Sequence, residues 1–231
     1  MIATDRFVFI HLHKSGGTFV NQCLLRFFPH ARRLGYHLPR SRIPASLAEL
    51  PVLGFVRSPW SYYVSWYAFQ SQRPEPNALF RTASEDRTLG FAGTVGNLLR
   101  LGTDDALLDR LLPRLPTAYG NRGLNLPGFA LEPIRGSGLG FYSYLYRYMV
   151  GGGHSNTIIG RMETLRADLL AFLDDLGAPV APALRDFVMN AAPLNASRHD
   201  TWASYYDERS AALVAERDAA VIEPFGYRFQ R

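Results

Sequence analysis

Residues 6–28 of this chain read RFVFIHLHKSGGTFVNQCLLRFF. The first part of this stretch, residues 6–12, is rich in aromatic and β-branched side chains and predicts a short buried strand. The glycine-containing residues 13–17 predict a turn, and residues 18–28 predict a helix that stops before Pro29. A strand, a tight loop and a helix in this order are the first unit of a parallel α/β sheet.

The same alternation occurs twice more along the chain. Residues 52–57 (VLGFVR) predict a second buried strand, and Ser58-Pro59 predicts the start of a helix that runs to about residue 72. Residues 156–161 (NTIIGR) predict a third strand, followed by a helix over residues 163–176, and a last helix is predicted over residues 205–222. The sequence therefore predicts an α/β fold, P-loop-like, with three α/β/α layers around a central parallel sheet and an irregular or helical insert.

The length of 231 residues indicates one domain over residues 1–231. Within it, residues 77–153 are rich in Gly, Pro, Arg and Tyr, and their periodicity is poor apart from a helical piece over residues 104–112. We interpret this segment as an insert that binds the acceptor or acts as a lid, with the glycines at 151–153 as its hinge, because loops on a rigid scaffold carry specificity.

Charge and cysteine content narrow the class of protein. The chain has 25 basic and 20 acidic residues, and Lys14 is its one lysine. A modest positive balance suits an anionic ligand, whereas a dedicated nucleic-acid binder would show a basic tract, so we expect no nucleic-acid partner. Cys23 stands alone, and the chain shows neither a signal peptide nor an apolar run of roughly 20 residues. We expect a soluble, cytoplasmic protein without an integral membrane segment.

The loop after the first strand has the composition of a phosphate-binding loop. Lys14 supplies a mobile cation, Gly16 and Gly17 let backbone N–H groups curl around an anion, and the hydroxyls of Ser15 and Thr18 can donate to its oxygens. A nucleoside-triphosphatase loop places lysine after the glycines, and here it precedes them, which argues against ATP or GTP hydrolysis. The alternative is an ordinary strand-to-helix turn that carries lysine and glycine.

A second motif follows the second strand. Arg57 ends that strand, and Ser65 lies eight residues later, about two turns into the predicted helix. The guanidinium of Arg57 can hold a phosphate with two parallel hydrogen bonds, and Ser65 can add a hydroxyl. The alternative is a helix with a surface arginine and a serine at its start.

Together these two segments resemble the sulfotransferase superfamily, most closely its small bacterial members and the carbohydrate sulfotransferases. Further similarities are residues 159–165 (IGRMETL) and 225–227 (FGY). The resemblance implies transfer of a sulfuryl group from 3′-phosphoadenosine 5′-phosphosulfate (PAPS), with adenosine 3′,5′-bisphosphate as the product and no metal.

The resemblance also implies roles for individual residues, and Lys14 would contact the bridging oxygen of the phosphosulfate. The residues that would hold the nucleotide are Lys14, Ser15, Gly16, Gly17 and Thr18 at the 5′-phosphate and Arg57 with Ser65 at the 3′-phosphate. Residues 195–199 (NASRH) would close over the nucleotide, with Arg198 as the gripping side chain.

Transfer to a hydroxyl requires a general base, and His37 is our candidate. It lies in a predicted loop beyond the first helix, where members of the family often place a histidine or glutamate, and the unperturbed pKa of histidine suits the role. Other candidates remain open, namely His11, His13, His154 and His199, with the carboxylates Glu75 and Asp86 as weaker alternatives.

We expect the acceptor to carry its hydroxyl on a carbohydrate. The aromatic stretch at residues 141–148 (FYSYLYRY) could stack on sugar rings, and it could equally form a partly buried helix. Two other functions remain: a P-loop kinase, which shares the strand–loop–helix cradle but needs magnesium, and a catalytically inactive relative that binds a nucleotide or a glycan. The sequence leaves the oligomeric state open.

Overall fold

The computed structural model describes residues 1–121, 123–151, 153–177, 180–192 and 200–230. The chain divides into two compact units. The first contains Met1–Arg57 and Tyr148–Ala196, and the second contains Ser58–Arg147 and Ser197–Arg231.

A five-stranded sheet lies in the first unit. Its strands are β1 (Ile2–Ala3), β2 (Val8–Ile10), β3 (Arg32–Arg33), β4 (Val52–Val56) and β5 (Thr157–Arg161), in the order β3-β1-β2-β4-β5. The strands β2, β4 and β5 are parallel, and the register pairs Val8 with Val52 and Val52 with Thr157. The predicted α/β class and the three predicted parallel strands are therefore confirmed. The strands β1 and β3 extend the sheet in the antiparallel sense. Each has two residues, too few for an alternating pattern to be visible in the sequence.

Eleven α-helices are formed by the described residues, several of them continued by 3-10 turns. They are α1 (Gly17–Phe27), α2 (Pro59–Ser71), α3 (Ala78–Ala83), α4 (Phe91–Arg100), α5 (Asp105–Leu111), α6 (Gly128–Leu131), α7 (Phe141–Val150), α8 (Leu165–Asp175), α9 (Pro182–Asn190), α10 (Glu208–Arg217) and α11 (Ala219–Phe225). Helices α1, α2 and α8 lie where the sequence predicts them, and α2 begins at the predicted Pro59.

The core of the first unit lies against one face of the sheet. Phe7 and Phe9 around β2 and Leu53 and Phe55 from β4 share a buried apolar cluster with side chains of α1, α8 and α9. The ring of Phe7 meets the ring of Phe172 edge to face, with centroids 5.0 Å apart. Because aromatic side chains bury the largest apolar areas, this layer stabilises the position of α1 and of the loop that precedes it.

The segment 77–153 is more helical than its composition suggests. It contains α3, α4, α5, α6 and most of α7. The helical piece predicted over residues 104–112 corresponds to α5. The other helices are short and are separated by Gly and Pro, so their stretches of sequence are too short to show helical periodicity. Side chains of Asn77 and Asp104 accept hydrogen bonds from the third residue of α3 and of α5, which starts each helix locally. The single-domain organisation and the role of this segment as a lid stay predictions.

The prediction of one helix over residues 205–222 is wrong. A 3-10 turn at Trp202–Tyr205 is followed by α10 and α11, which meet at Asp218. Asp207 and Ser210 form a capping box that starts α10 three residues later than predicted. The helix α9 has no counterpart in the predicted elements.

Asp218 interrupts the last helix because its carboxylate holds the second unit together. The side chain is fully buried. It accepts a hydrogen bond of 2.7 Å from the hydroxyl of Tyr63 in α2 and another of 2.7 Å from the backbone N–H of Ser143 in α7. Burial raises the pKa of this carboxyl from 3.8 to about 6. Three helical segments are therefore joined at one buried carboxylate.

Replacing Asp218 with alanine is expected to lower the free energy of unfolding by about 2–4 kcal/mol, because the Tyr63 hydroxyl and the Ser143 N–H lose their acceptor. The carboxyl of Asp218 binds its proton more tightly in the folded protein than in the unfolded one. The contribution of this group to the stability of the wild type is therefore lost as pH rises from 3.8 to about 6. The variant lacks the carboxyl and should not show this pH dependence. Denaturant unfolding at several pH values measures both effects. As a control, Asp174→Ala removes an exposed partner of Arg185 and should change stability by less than about 1 kcal/mol. Equal stability of Asp218→Ala and the wild type would contradict the proposed junction.

Candidate active site

The loop between β2 and α1 is held in a conformation that requires glycine. Gly16 has a φ of +77°, and a Cβ atom there would lie 2.2 Å from Cδ1 of Leu165. A Cβ atom on Gly17 would lie 1.9 Å from Cδ2 of His11. Lys14 also has a positive φ, of +60°, which is uncommon for a residue with a side chain. The loop is therefore tightly packed, and one of its strained residues is the lysine singled out by the sequence.

This backbone conformation favours an anion. Left-handed residues that alternate with ordinary ones turn successive N–H groups toward the same side, which creates an anion-binding concavity. The helix α1 begins immediately after Gly16, and its first N–H groups have no acceptor within the helix. The first turn of α1 contains no acidic residue that would compete for these donors. Its N-terminal end therefore carries a partial positive charge.

Lys14 and Arg57 come together at the carboxyl ends of neighbouring strands. Lys14 follows β2 and Arg57 follows β4, which pairs with β2 in parallel. Nη1 of Arg57 donates a long hydrogen bond, 3.4 Å, to the carbonyl oxygen of Lys14. Burial, and next the charge of Arg57, lower the pKa of Lys14 from 10.5 to about 8. An anion bound between the two cations would offset this repulsion and raise the pKa of Lys14 again.

Other residues of the two motifs contribute in different ways. Thr18 is exposed on the first turn of α1, whereas Ser15 is buried and its hydroxyl donates to the carbonyl oxygen of His13 at 3.4 Å. We infer that Ser15 would serve an anion through its backbone. Ser65 lies in α2, in the second unit, and is 2% exposed. Arg198 lies outside the described residues, and its predicted role stays a prediction.

His37 is buried, and a hydrogen bond to the backbone fixes one of its ring nitrogens. It is 3% exposed, and its Nδ1 lies 2.7 Å from the backbone carbonyl oxygen of His11. Because a carbonyl oxygen only accepts, Nδ1 must carry the proton, which leaves the lone pair on Nε2. Burial lowers the pKa of His37 from 6.5 to about 4, so the ring is neutral at physiological pH. A neutral ring with a defined tautomer is the form in which a histidine can accept a proton.

The two nearest alternatives to His37 surround it. The ring centroids of His11 and His13 lie 4.2 Å and 5.3 Å from that of His37. Burial and the neighbouring imidazoles lower the pKa of both rings well below the usual value. The Nδ1 of His11 contacts Nδ2 of Asn21 at 3.2 Å, whereas the Nδ1 of His13 is buried and has no hydrogen-bond partner in the described part of the chain. Three neutral imidazoles thus lie together beside Lys14.

The remaining candidate bases lie elsewhere. His154 is exposed just before β5, and His199 lies outside the described residues. Glu75 and Asp86 are exposed in the second unit, and Asp86 forms an ion pair with Arg81 at 2.7 Å. The structure therefore groups His11, His13 and His37, and it gives Asp86 a structural partner.

Most of the aromatic stretch at residues 141–148 belongs to the core of the second unit. Phe141 and Tyr142 are fully buried, and Tyr142 stacks on Tyr62 with ring centroids 3.9 Å apart. Tyr146 and Arg147 are more exposed. The partly buried helix, one of the two interpretations of this stretch, describes α7, so most of these rings are not available to stack on a sugar.

Two residues of the site were missed in the sequence. Tyr36 meets the ring of His37 edge to face at 4.3 Å, and Asn21 holds the ring of His11. Asn21 lies one helical turn after Gly17, on the face of α1 that adjoins the phosphate-binding loop. This spacing is the sequence signal that could have identified it. Nothing in the sequence around Tyr36 marks it.

Among the described residues, no group of three or more His, Cys, Asp or Glu side chains is arranged to hold a metal ion. None of the described helices combines the length and the apolar character that crossing a membrane requires.

Fold and site together define an α/β protein in which Lys14, after β2, lies beside Arg57, after β4, and next to a cluster of three histidines. No protein-family model matches the chain, and no curated protein is significantly similar to it. Among solved structures, it is similar to the crystal structure of mouse sulfotransferase SULT7A1 complexed with PAP, with a TM-score of 0.46 and 13% identity, over 96% of this chain and 89% of that chain.

Proposed function

We propose that this protein is a sulfotransferase that moves a sulfuryl group from PAPS to an acceptor hydroxyl. The observation that carries the proposal is the pairing of Lys14 and Arg57 beside a glycine loop at the start of α1. An ammonium, a guanidinium and helix N–H groups are suited to phosphate and sulfate oxygens, and the lysine precedes the glycines. The residues present therefore fit the nucleotide that the family resemblance implies.

The nucleotide, when bound, supplies an activated sulfuryl group. The loop around Gly16 and Gly17 would hold its 5′-phosphate, while Arg57 and Ser65 would hold the 3′-phosphate. Lys14 would stabilise the negative charge that develops on the bridging oxygen as the O–S bond breaks, in the way that metal ions neutralise charge in kinases. Arg198 would add a contact from the late loop.

His37 would act as the general base. In the proposed step, the acceptor oxygen would form a bond to sulfur, its proton would pass to Nε2 of His37, and the electron pair of the broken O–S bond would stay on the phosphate oxygen of the bisphosphate. The carbonyl of His11 holds Nδ1–H, so the imidazolium that forms would be stabilised by a hydrogen bond to its other nitrogen. The low pKa of the free protein's histidine keeps it unprotonated before substrate binds.

The acceptor would be a carbohydrate hydroxyl, in keeping with the resemblance. A reducing compartment such as the cytoplasm fits the single Cys23, whose thiol is buried and has its pKa raised to about 12.

Calorimetric titration with adenosine 3′,5′-bisphosphate, and in parallel with ATP and magnesium, tests the donor site. We expect the bisphosphate to bind more tightly than magnesium-ATP, and Arg57→Ala to weaken its binding about 10- to 100-fold, because a charge-assisted pair to phosphate is lost. The matched control is Arg185→Ala, which removes an exposed arginine paired with Asp174 and should leave binding unchanged.

Preference for magnesium-ATP, with indifference to the 3′-phosphate, would contradict the proposal and favour a kinase. Tight bisphosphate binding without transfer from PAPS to any member of a panel of hydroxyl compounds would instead favour the inactive relative.

A further inference from the structure

Lys14 has the properties of a nucleophile as well as those of a cation. Its side chain is half-buried, and burial, followed by the charge of Arg57, lowers the pKa of Lys14 from 10.5 to about 8. Desolvation and a neighbouring cation are two conditions that turn a lysine into a reactive amine. At pH 8 about half of Lys14 is therefore uncharged, whereas an ordinary lysine is uncharged in fewer than about 1% of molecules.

Two other nucleophilic groups of the described chain are less available. Cys23 is fully buried in the apolar core, and burial raises the pKa of its thiol to about 12. Met1 is 2% exposed, and its α-amino group donates a hydrogen bond of 2.7 Å to the carbonyl oxygen of Gly35. Since Lys14 is the one lysine of the chain, an electrophile that attacks amines should meet Lys14 first.

The surroundings of Lys14 select an electrophile that carries a phosphate group. Lys14 lies in the loop between β2 and α1, and Nη1 of Arg57 donates to its carbonyl oxygen at 3.4 Å. The positive φ values of Lys14 and Gly16, together with the first N–H groups of α1, favour an anion at this place. A phosphate bound there would hold the group attached to it close to the side chain of Lys14, which raises the effective concentration of that group.

We propose that Lys14 is a site of acylation by acyl phosphates, the mixed anhydrides of a carboxylic acid and phosphoric acid. The phosphate group would bind to the glycine loop and Arg57, and the uncharged amine of Lys14 would attack the acyl carbon. An N–C bond forms, and the bond between the acyl carbon and the bridging oxygen breaks with its electron pair on that oxygen. The proton of the amine passes to the released phosphate. The products are an amide on Lys14 and inorganic phosphate.

Acylation would inactivate the anion site, because an amide carries no charge and the acyl group occupies space in the loop. This regulatory consequence rests on the proposed function, since an acylated Lys14 could not stabilise the charge that develops on the bridging oxygen of PAPS. The acylation itself does not rest on it. It requires only a bound phosphate beside a reactive amine.

Acetyl phosphate is the probe for this site, and intact-mass measurement with peptide mapping follows the acetyl group. The uncharged ester p-nitrophenyl acetate is the comparison reagent, and Nα-acetyl-lysine amide is the reference amine. We expect the reaction of Lys14 with acetyl phosphate to saturate and to be inhibited by inorganic phosphate. The rate advantage of Lys14 over the reference amine should be at least about 10-fold larger with acetyl phosphate than with the ester.

Variants test the role of the phosphate. Arg57→Gln should lower the rate with acetyl phosphate about 10- to 100-fold relative to the rate with the ester, the effect of losing a charge-assisted pair. The ester rate also shows that the variant is folded. The matched control is Arg185→Gln, which alters an exposed arginine paired with Asp174 and should leave both rates unchanged. Lys14→Arg keeps a cation and should gain no acetyl group in the loop.

Three results would overturn the acylation site: reaction of Lys14 with acetyl phosphate at the rate of the reference amine, acetylation at Met1 alone, or equal relative rates in Arg57→Gln and Arg185→Gln. Adenosine 3′,5′-bisphosphate separates this inference from the proposed function. Protection of Lys14 by the bisphosphate, and loss of bisphosphate binding after acetylation, would support both. Saturable, phosphate-sensitive acetylation that the bisphosphate does not affect would support the acylation site and count against the sulfotransferase.

Discussion

Replacing Lys14 with methionine is expected to lower the rate of transfer from PAPS by about 10²–10³-fold, the usual effect of removing one donor that stabilises developing charge. Methionine keeps an unbranched side chain in a half-buried position and removes the ammonium. Bisphosphate release from PAPS in the presence of acceptor measures the rate. The expected pattern is a loss in kcat that exceeds the loss in bisphosphate affinity, because the charge on the bridging oxygen develops only during transfer.

The lowered pKa of Lys14 adds a pH dependence of known sign. The free protein loses the ammonium above about pH 8, whereas a bound anion raises the pKa of Lys14, so binding takes up a proton above about pH 8. Bisphosphate affinity should therefore fall above pH 8 in the wild type and stay flatter in Lys14→Met. As the chain's one lysine, Lys14 can also be followed by amine-reactive labelling and peptide mapping, and bisphosphate should protect it. A variant with wild-type kcat would remove Lys14 from the mechanism.

Replacing His37 with asparagine is expected to lower acceptor-dependent transfer by about 10²–10⁴-fold, the range for loss of a general base. Asparagine is the conservative choice, because it tolerates the positive φ of +47° at this position and its Nδ2 can still donate to the carbonyl of His11. Only the basic Nε2 is lost. Transfer to the acceptor panel and bisphosphate titration are measured together.

Bisphosphate binding should be unchanged in His37→Asn, because the histidine serves the acceptor and not the nucleotide. The control is His154→Asn, an exposed histidine outside the cluster, which should retain full activity. If His37→Asn retains transfer while His13→Asn or His11→Asn loses it, the general base would be that neighbouring histidine instead of His37. Partial recovery of a His37→Gly variant by added imidazole would support a base at this position.

Much of the fold could be predicted because its signals are local. The strands β2, β4 and β5 are short apolar runs, and each is followed by a turn or by a helix-starting residue such as Pro59. Within residues 77–153 the sequence predicted α5, whereas the other helices could not be predicted because they are short and packed by tertiary contacts, so propensity had little sequence over which to accumulate. The break between α10 and α11 at Asp218 could not be predicted either, because the carboxylate of Asp218 forms its hydrogen bond with Tyr63, 155 residues earlier.

The candidate site also contains residues that could be predicted from the sequence and residues that could not. Lys14, Gly16 and Gly17 could be recognised because a loop that holds a phosphate needs these residue types consecutively. His37 could be nominated but not chosen among the histidines, since its tautomer depends on the carbonyl of His11, 26 residues away. Asn21 and Tyr36 carried no motif and acquire their roles only by packing against His11 and His37.

The sequence is sufficient to predict the alternation of strands and helices, the position of the glycine loop and an arginine at the end of a strand, because each depends on neighbours within one or two turns of chain. Only the folded structure shows which histidine has its tautomer fixed by a backbone carbonyl, how far the pKa of Lys14 falls, and that Arg57 lies beside Lys14. Burial and electrostatic interaction depend on distance in space, and the fold sets those distances between residues that are remote in sequence.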